Sequence, residues 1–270
     1  MNTIHNRRVV CETLIELSEK DRDIVVLCSD SRGSASMAPF AEKFPSQFIE
    51  TGIAEQNIVG IAAGLAASGK KPYVASPACF LTTRAAEQIK IDVAYSNTNV
   101  KLLGISAGIS YGALGMTHHS LQDIALLRAI PGILIAVAAD RHEAKRLTEA
   151  FNEYTGPAYM RIGRNPVEDV YDSDDYDFQL GKAITMRDGN SLSIITFGET
   201  VKTALEAAEL MSTRGIDCRV INMHTIKPLD NDCILKAANE TGAIITIEEH
   251  SIFGGFGAAE IGRASCRERV

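Results

Sequence analysis

Phe48-Ile-Glu-Thr-Gly-Ile-Ala-Glu55-Gln-Asn-Ile-Val-Gly-Ile-Ala-Ala-Gly-Leu-Ala66 reads as a short strand that turns into a helix, with the carboxylate of Glu55 at the joint. Ile58, Ile61, Ala62 and Leu65 recur at the spacing of one buried helix face, and Gly60 and Gly64 are expected to let a neighbour pack close on the other side. Glu55 falls in the first helical turn, where a negative charge complements the helix dipole. Joints of this kind at the carboxyl edge of an α/β sheet gather functional groups, because the sheet fixes their positions while the loops are free to vary.

The rest of the chain supplies such a sheet. Apolar runs of strand length at 24–28, 73–76, 100–105 and 133–137 alternate with amphipathic segments, the pattern of a parallel sheet covered on both faces. One of those segments starts at Asp140, a good N-cap, and carries Ala144, Leu147, Thr148 and Phe151 on one face. The pattern breaks at Asn165-Pro166. Glu168, Asp169, Asp172, Asp174, Asp175 and Asp177 then follow with little periodicity, so 166–180 is expected to be a solvated acidic linker. Beyond it a second α/β unit is expected, with a strand at 192–197, a helix carrying Val201, Ala204, Leu205 and Ala208, and strands near 218–220 and 243–247. The fold class read from these patterns is α/β, with two doubly wound domains at 1–165 and 181–259.

At 270 residues and a net charge of −7 the chain is long enough for two cores, and its acidic balance argues against nucleic acid as a partner. No apolar run approaches the roughly 20 residues of a membrane span, and the polar start Met1-Asn-Thr-Ile-His-Asn-Arg-Arg does not read as a secretory signal, so a cytoplasmic location is expected. Cys11, Cys28, Cys79, Cys218, Cys233 and Cys266 show neither metal-like nor disulfide-like spacing. The expected protein-held metal set is therefore none.

Gly52-Ile-Ala-Glu-Gln-Asn57, Pro72-Tyr-Val74, Phe80-Leu81 and Gly115-Met-Thr-His118 occur in an order and spacing that resemble the pyrimidine-binding domain of transketolase-like thiamine diphosphate enzymes. The likeness continues to Ala259. It implies a thiamine diphosphate-binding fold of pyrimidine type over 1–165 and a transketolase C-terminal-like domain over 181–259. In that family the glutamate matching Glu55 hydrogen-bonds the aminopyrimidine of the cofactor and activates it. The resemblance implies further that Phe80 packs on that ring, that Asp30 and Gln88 also serve the cofactor, and that His118 is catalytic and touches the substrate. It places His119, Arg7, Ser34 and Arg161 at substrate-binding positions, the arginines as forks for a phosphate.

Several departures qualify the likeness. Thr83 and Ala86 stand where sugar transketolases carry aromatics, which leaves room for Glu87 or Gln88 to line the site. Ser106 and Leu114 replace the histidine and aspartate that read sugar hydroxyls, so a phosphorylated ketose of another shape than the usual pentose phosphates is expected. The family's Gly-Asp-Gly diphosphate motif does not occur in the sequence. The expectation is a split enzyme: a separate subunit carries that motif and holds magnesium or another divalent metal, and the two assemble as a heterotetramer. The activity implied is transfer of a two-carbon ketol unit from a ketose to an aldose. Alternatives are the β subunit of a 2-oxoacid dehydrogenase, a 1-deoxyxylulose-5-phosphate synthase-like enzyme, and a regulatory binding subunit. Finally, Glu260-Ile-Gly-Arg-Ala-Ser-Cys-Arg-Glu-Arg-Val270 reads as a translated sequencing adaptor. It is expected to be a non-native tail that leaves the second domain incomplete.

Overall fold

Strands that are buried along their whole length form only inside a sheet covered on both faces, and β1 (Ile24–Cys28) and β4 (Lys101–Ile105) are such strands. In the computed structural model, which describes residues 4–259, they join β2 (Phe48–Glu50), β3 (Lys71–Pro77), β5 (Leu134–Val137) and β6 (Ala158–Ile162) in a parallel array. The array runs β5-β6-β4-β3-β1-β2. Because β2 and β3 flank β1 on opposite sides, the chain changes direction there, and a crevice opens at the carboxyl ends of these strands.

Successive side chains of a strand enter opposite layers. Leu27, Val74, Leu102 and Ile135 face Ile58, Val59 and Ala62 of the helix Glu55–Ala67. Val26, Tyr73, Leu103 and Ala136 face Val10, Leu14, Phe40, Leu147 and Phe151. Asp140 caps the helix Arg141–Glu153 by accepting from Glu143 N at 3.0 Å, and Ala144, Leu147, Thr148 and Phe151 are buried, in keeping with the sequence pattern. The helix Glu55–Ala67 is rotated slightly from expectation: Val59 and Ala63 are buried, whereas Ile61 and Leu65 are only half-buried. Gly60 and Gly64 accommodate no close neighbour, since a Cβ at either would meet nothing within 4 Å.

The second sheet is built from β7 (Ile184–Arg187), β8 (Leu192–Thr196), β9 (Cys218–Asn222) and β11 (Ile244–Ile247), in the order β11-β8-β9-β7 with β7 antiparallel. Between β9 and β11 the short β10 (Thr225–Lys227) crosses to the first sheet and pairs antiparallel with β5. This crossing strand has no counterpart in the sequence reading.

Residues 166–180 contain neither helix nor strand, yet they are not loosely solvated. Val170 N and Tyr171 N donate to Asp140 Oδ2 at 2.8 and 2.9 Å, Tyr171 stacks on Tyr176 at 4.1 Å, and Phe178 stacks on His224 at 4.7 Å. The acidic groups are used as well, Asp169 with Arg141 and Asp174 with His142 and Lys145. The segment is a packed strap because its aromatic residues alternate with the acidic ones. The expected tail at 260–270 lies outside the described residues.

Candidate active site

The crevice is assembled at the carboxyl ends of five strands, β1, β2, β3, β4 and β6. After β1 the chain turns through Ser29-Asp30-Ser31, with Asp30 in the left-handed region at φ 55 and its N–H donating to Glu50 Oε1 of β2 at 2.7 Å. Thr51 binds the carbonyl of Cys28 through both its N–H and its hydroxyl, at 3.0 and 3.1 Å. Gly52, at φ 69, then makes the turn that starts the helix Glu55–Ala67.

Glu55 is thereby set into the crevice wall, with 4 % of its side chain exposed. Its Oε2 accepts from Arg84 Nη1 at 3.0 Å, while Oε1 has a long 3.5 Å contact from Ser29 Oγ, which pairs with Ser76 Oγ at 2.8 Å. Phe80 lies on the helix Ala78–Arg84, and the Arg84 guanidinium covers its ring at 4.1 Å. The His118 ring meets Phe80 and Tyr111 edge-on at 5.1 and 5.2 Å, and its Nδ1 is held by Thr117 Oγ1 at 2.9 Å. On the far side of Tyr111 stands the Arg164 guanidinium, 4.8 Å from the ring. Arg7 donates to the carbonyl of Ser34, and its pKa is lowered by partial burial and by the nearby charge of Arg164.

Glu55, Phe80, Asp30, Ser34 and His118 thus line one cleft of about 440 Å³, and Arg7 adjoins it through Ser34. Three expected residues stand elsewhere. His119 Nε2 bonds to the carbonyl of Gly112 within its own loop. Gln88 is half-buried past the end of the Phe80 helix, outside the cleft lining, and its Oε1 is buried without a partner. Arg161 is buried in an ion pair with Asp123 at 3.0 Å, and its Nη2 donates to the carbonyls of Ser120 and Glu249. A guanidinium committed in this way cannot turn toward the cleft. It lines instead a separate cavity of about 380 Å³ with Glu199 and Glu249, where burial first and Glu249 second push the Glu199 carboxyl up to about 7.

The cleft also holds residues that the sequence reading missed: Arg84, Tyr111, Arg164 and Ser29. Arg84 follows Phe80 at i+4, the spacing of neighbours on one helix face, and that spacing could have revealed it. Arg164 lies just past β6, where the chain has left the pleat that buries Arg161.

Residues 2–168 match the family model for the transketolase pyrimidine binding domain, and residues 181–264 match that for the transketolase C-terminal domain. The chain belongs to the transketolase family. An apulose-4-phosphate transketolase subunit of Phocaeicola vulgatus is 52% identical to this transketolase chain over 257 residues, which span 95% of this chain and 82% of that one. A 6-deoxy-6-sulfo-D-fructose transketolase subunit from a Clostridium species is 37% identical over 94% of this chain and 78% of its own. Among solved structures, a split-gene transketolase described as an inactive β4 tetramer superposes with a TM-score of 0.90 at 35% identity, covering 99% of this chain and 86% of that one.

Proposed function

We propose that this chain is the pyrimidine-binding subunit of a two-component, thiamine diphosphate-dependent transketolase that moves a two-carbon ketol unit from a ketose phosphate to an aldose phosphate. The observation that carries the reading is the order of groups along one cleft: a buried carboxylate beside an aromatic ring, then an imidazole, then the Arg164 guanidinium, with Arg7 adjoining; neither Arg164 nor Arg7 has a carboxylate partner among the described residues.

The residues fit the aminopyrimidine end of the cofactor. Glu55 Oε1 keeps acceptor capacity for a ring N–H, and Phe80 offers a flat apolar face for the ring. Among the described residues no group of His, Cys, Asp and Glu is placed to hold a metal ion. In the proposal the diphosphate and magnesium belong to a partner subunit bearing the Gly-Asp-Gly motif, in a cytoplasmic heterotetramer. Among the described residues, no helix is long and apolar enough to cross a membrane.

When bound, thiamine diphosphate supplies the electron sink for breaking a carbon–carbon bond next to a carbonyl. Glu55 holds a proton at the ring nitrogen of the cofactor and fixes the ring's orientation. His118, with Nδ1 tied to Thr117, presents Nε2 to a substrate hydroxyl and moves its proton. Arg164 and Arg7 take the substrate phosphate, Arg164 replacing Arg161 in that role. Ser106 is buried and within 3.5 Å of Arg164, so no imidazole reads a sugar hydroxyl from that position. The relatives' names, apulose 4-phosphate and 6-deoxy-6-sulfo-D-fructose, support the same reading, a ketose of another shape than the usual straight-chain pentose phosphates.

The test is ketol transfer by the chain co-expressed with its Gly-Asp-Gly partner, using several ketose phosphates. Glu55→Gln should lower kcat/KM by about 100-fold or more, in the range seen when an interaction made in the transition state is lost. Unchanged transfer in that variant refutes the role of Glu55, and consumption of a 2-oxoacid instead of a ketose moves the chain to the dehydrogenase branch.

A further inference from the structure

The two groups that the proposed function offers to the cofactor are both covered by one side chain. Arg84 binds Glu55 Oε2 at 3.0 Å and lies over the Phe80 ring at 4.1 Å. A flat heteroaromatic ring with an N–H on its edge would take the same places, its face on Phe80 and its edge toward Glu55. The ring and the guanidinium cannot share the face of Phe80.

The two partners differ in mobility. Glu55 is 4 % exposed and fixed at a helix start, whereas Arg84 is 47 % exposed at a helix end. Beside the cleft is an open recess, lined by Ile53, Gln56 and Asn57, which Arg84 also borders, so the guanidinium has space to swing into. A half-exposed ion pair is weak and screened by salt, as is an exposed cation–ring contact, so a ligand can displace both. Until then Arg84 has a definite task. Without it the buried carboxylate would be left with only the long contact from Ser29, a costly arrangement for a charge.

Resting on the reading of Glu55 and Phe80 given above, we propose that Arg84 is a positioning residue that guards Glu55. It neutralises the carboxylate and covers Phe80 in the free subunit, and it is displaced when an aminopyrimidine ring enters. This makes Arg84 a determinant of cofactor affinity through its competition for the site.

The full chain without its partner tests this with 4-amino-2-methylpyrimidine as the probe, titrated under NMR observation of the probe's resonances. Arg84→Ala should bind the probe about tenfold tighter than the wild type, the effect expected when one half-exposed ion pair and one cation–ring contact no longer compete. Arg84→Lys keeps the charge and loses the planar cover, and should fall between the two. Glu55→Gln should weaken binding in both the wild-type and the Arg84→Ala backgrounds. Equal or weaker binding by Arg84→Ala, with Glu55→Gln still harmful, overturns the guarding role and leaves the Glu55 site standing. No effect of Glu55→Gln in either background overturns the site and the proposal together. Thermal melting checks that each variant is folded, and Arg84→Gln carries the same comparison if Arg84→Ala is not.

Discussion

Glu55 owes its position to contacts that its own side chain does not make. Thr51 holds the end of β1, Glu50 holds the turn at Asp30, and Gly52 supplies the positive φ that turns the chain into the helix. The carboxylate is therefore presented by backbone geometry, and replacing it by an amide should leave the fold intact. At the other end of the cleft, Arg164 is held by Tyr111 and Ser106 and has no carboxylate partner among the described residues. Arg164→Leu should raise KM for a phosphorylated ketose by about tenfold or more with a small change in kcat, because a charge-assisted phosphate contact made equally in ground and transition states is lost. Steady-state kinetics with phosphorylated and unphosphorylated ketoses check this: the variant should discriminate between them less than the wild type does. Identical KM values in variant and wild type would remove Arg164 from the site.

At the scale of elements, the loop 108–120 and the strap 166–180 show how local chemistry serves the whole. Gly108 and Ser120 exchange two backbone hydrogen bonds that close the loop carrying Tyr111 and His118. Gly108 sits at φ 63 with the Glu249 carboxylate against it, so a larger residue there would be strained and would have to displace that carboxylate. The strap is tied down by a buried polar cluster in which Glu143 accepts from Ala139 N, Asn222 Nδ2 and Tyr171 OH. Burial outweighs these donors and pushes the Glu143 carboxyl up to about 8, from an ordinary value of 4.5. The folded chain thus holds this proton more tightly than the unfolded chain does. The stability it contributes is fully present below about 4.5 and is lost as pH rises toward 8, a change on the order of 2 kcal/mol after allowance for relaxation. Denaturant unfolding at pH 5 and pH 8 should show this decline in the wild type and a flatter dependence in Glu143→Gln; parallel slopes would contradict it.

The same elements show what the sequence could and could not reveal. Strands β1, β4 and β5 were legible because continuous apolar runs have few other uses, and the Asp140 cap was legible because its side chain bonds a backbone N–H three residues on. Glu55, Phe80 and His118 were legible as short motifs in order. The crossing of β10 to the first sheet was not, since a three-residue strand has no period to read. Arg161 was misread for a related reason: an arginine inside a strand and one just beyond it look alike in sequence, and only the pleat decides which is buried. The packed state of 166–180 was hidden because counting charges passed over Tyr171, Tyr176 and Phe178 between them.

At the scale of the whole molecule, the first sheet, tied to the second by β10 and the strap, holds one face of a cleft whose carboxylate and ring suit half of a cofactor. The other half, its diphosphate and metal, is assigned by our proposal to a partner. Isothermal titration of thiamine diphosphate with magnesium into this chain alone, into the Gly-Asp-Gly partner alone, and into their mixture tests that claim most directly. The account predicts tight binding in the mixture only, weakened by Glu55→Gln on this chain. Binding to the mixture that is no tighter than to the partner alone, or that is indifferent to Glu55, would contradict it.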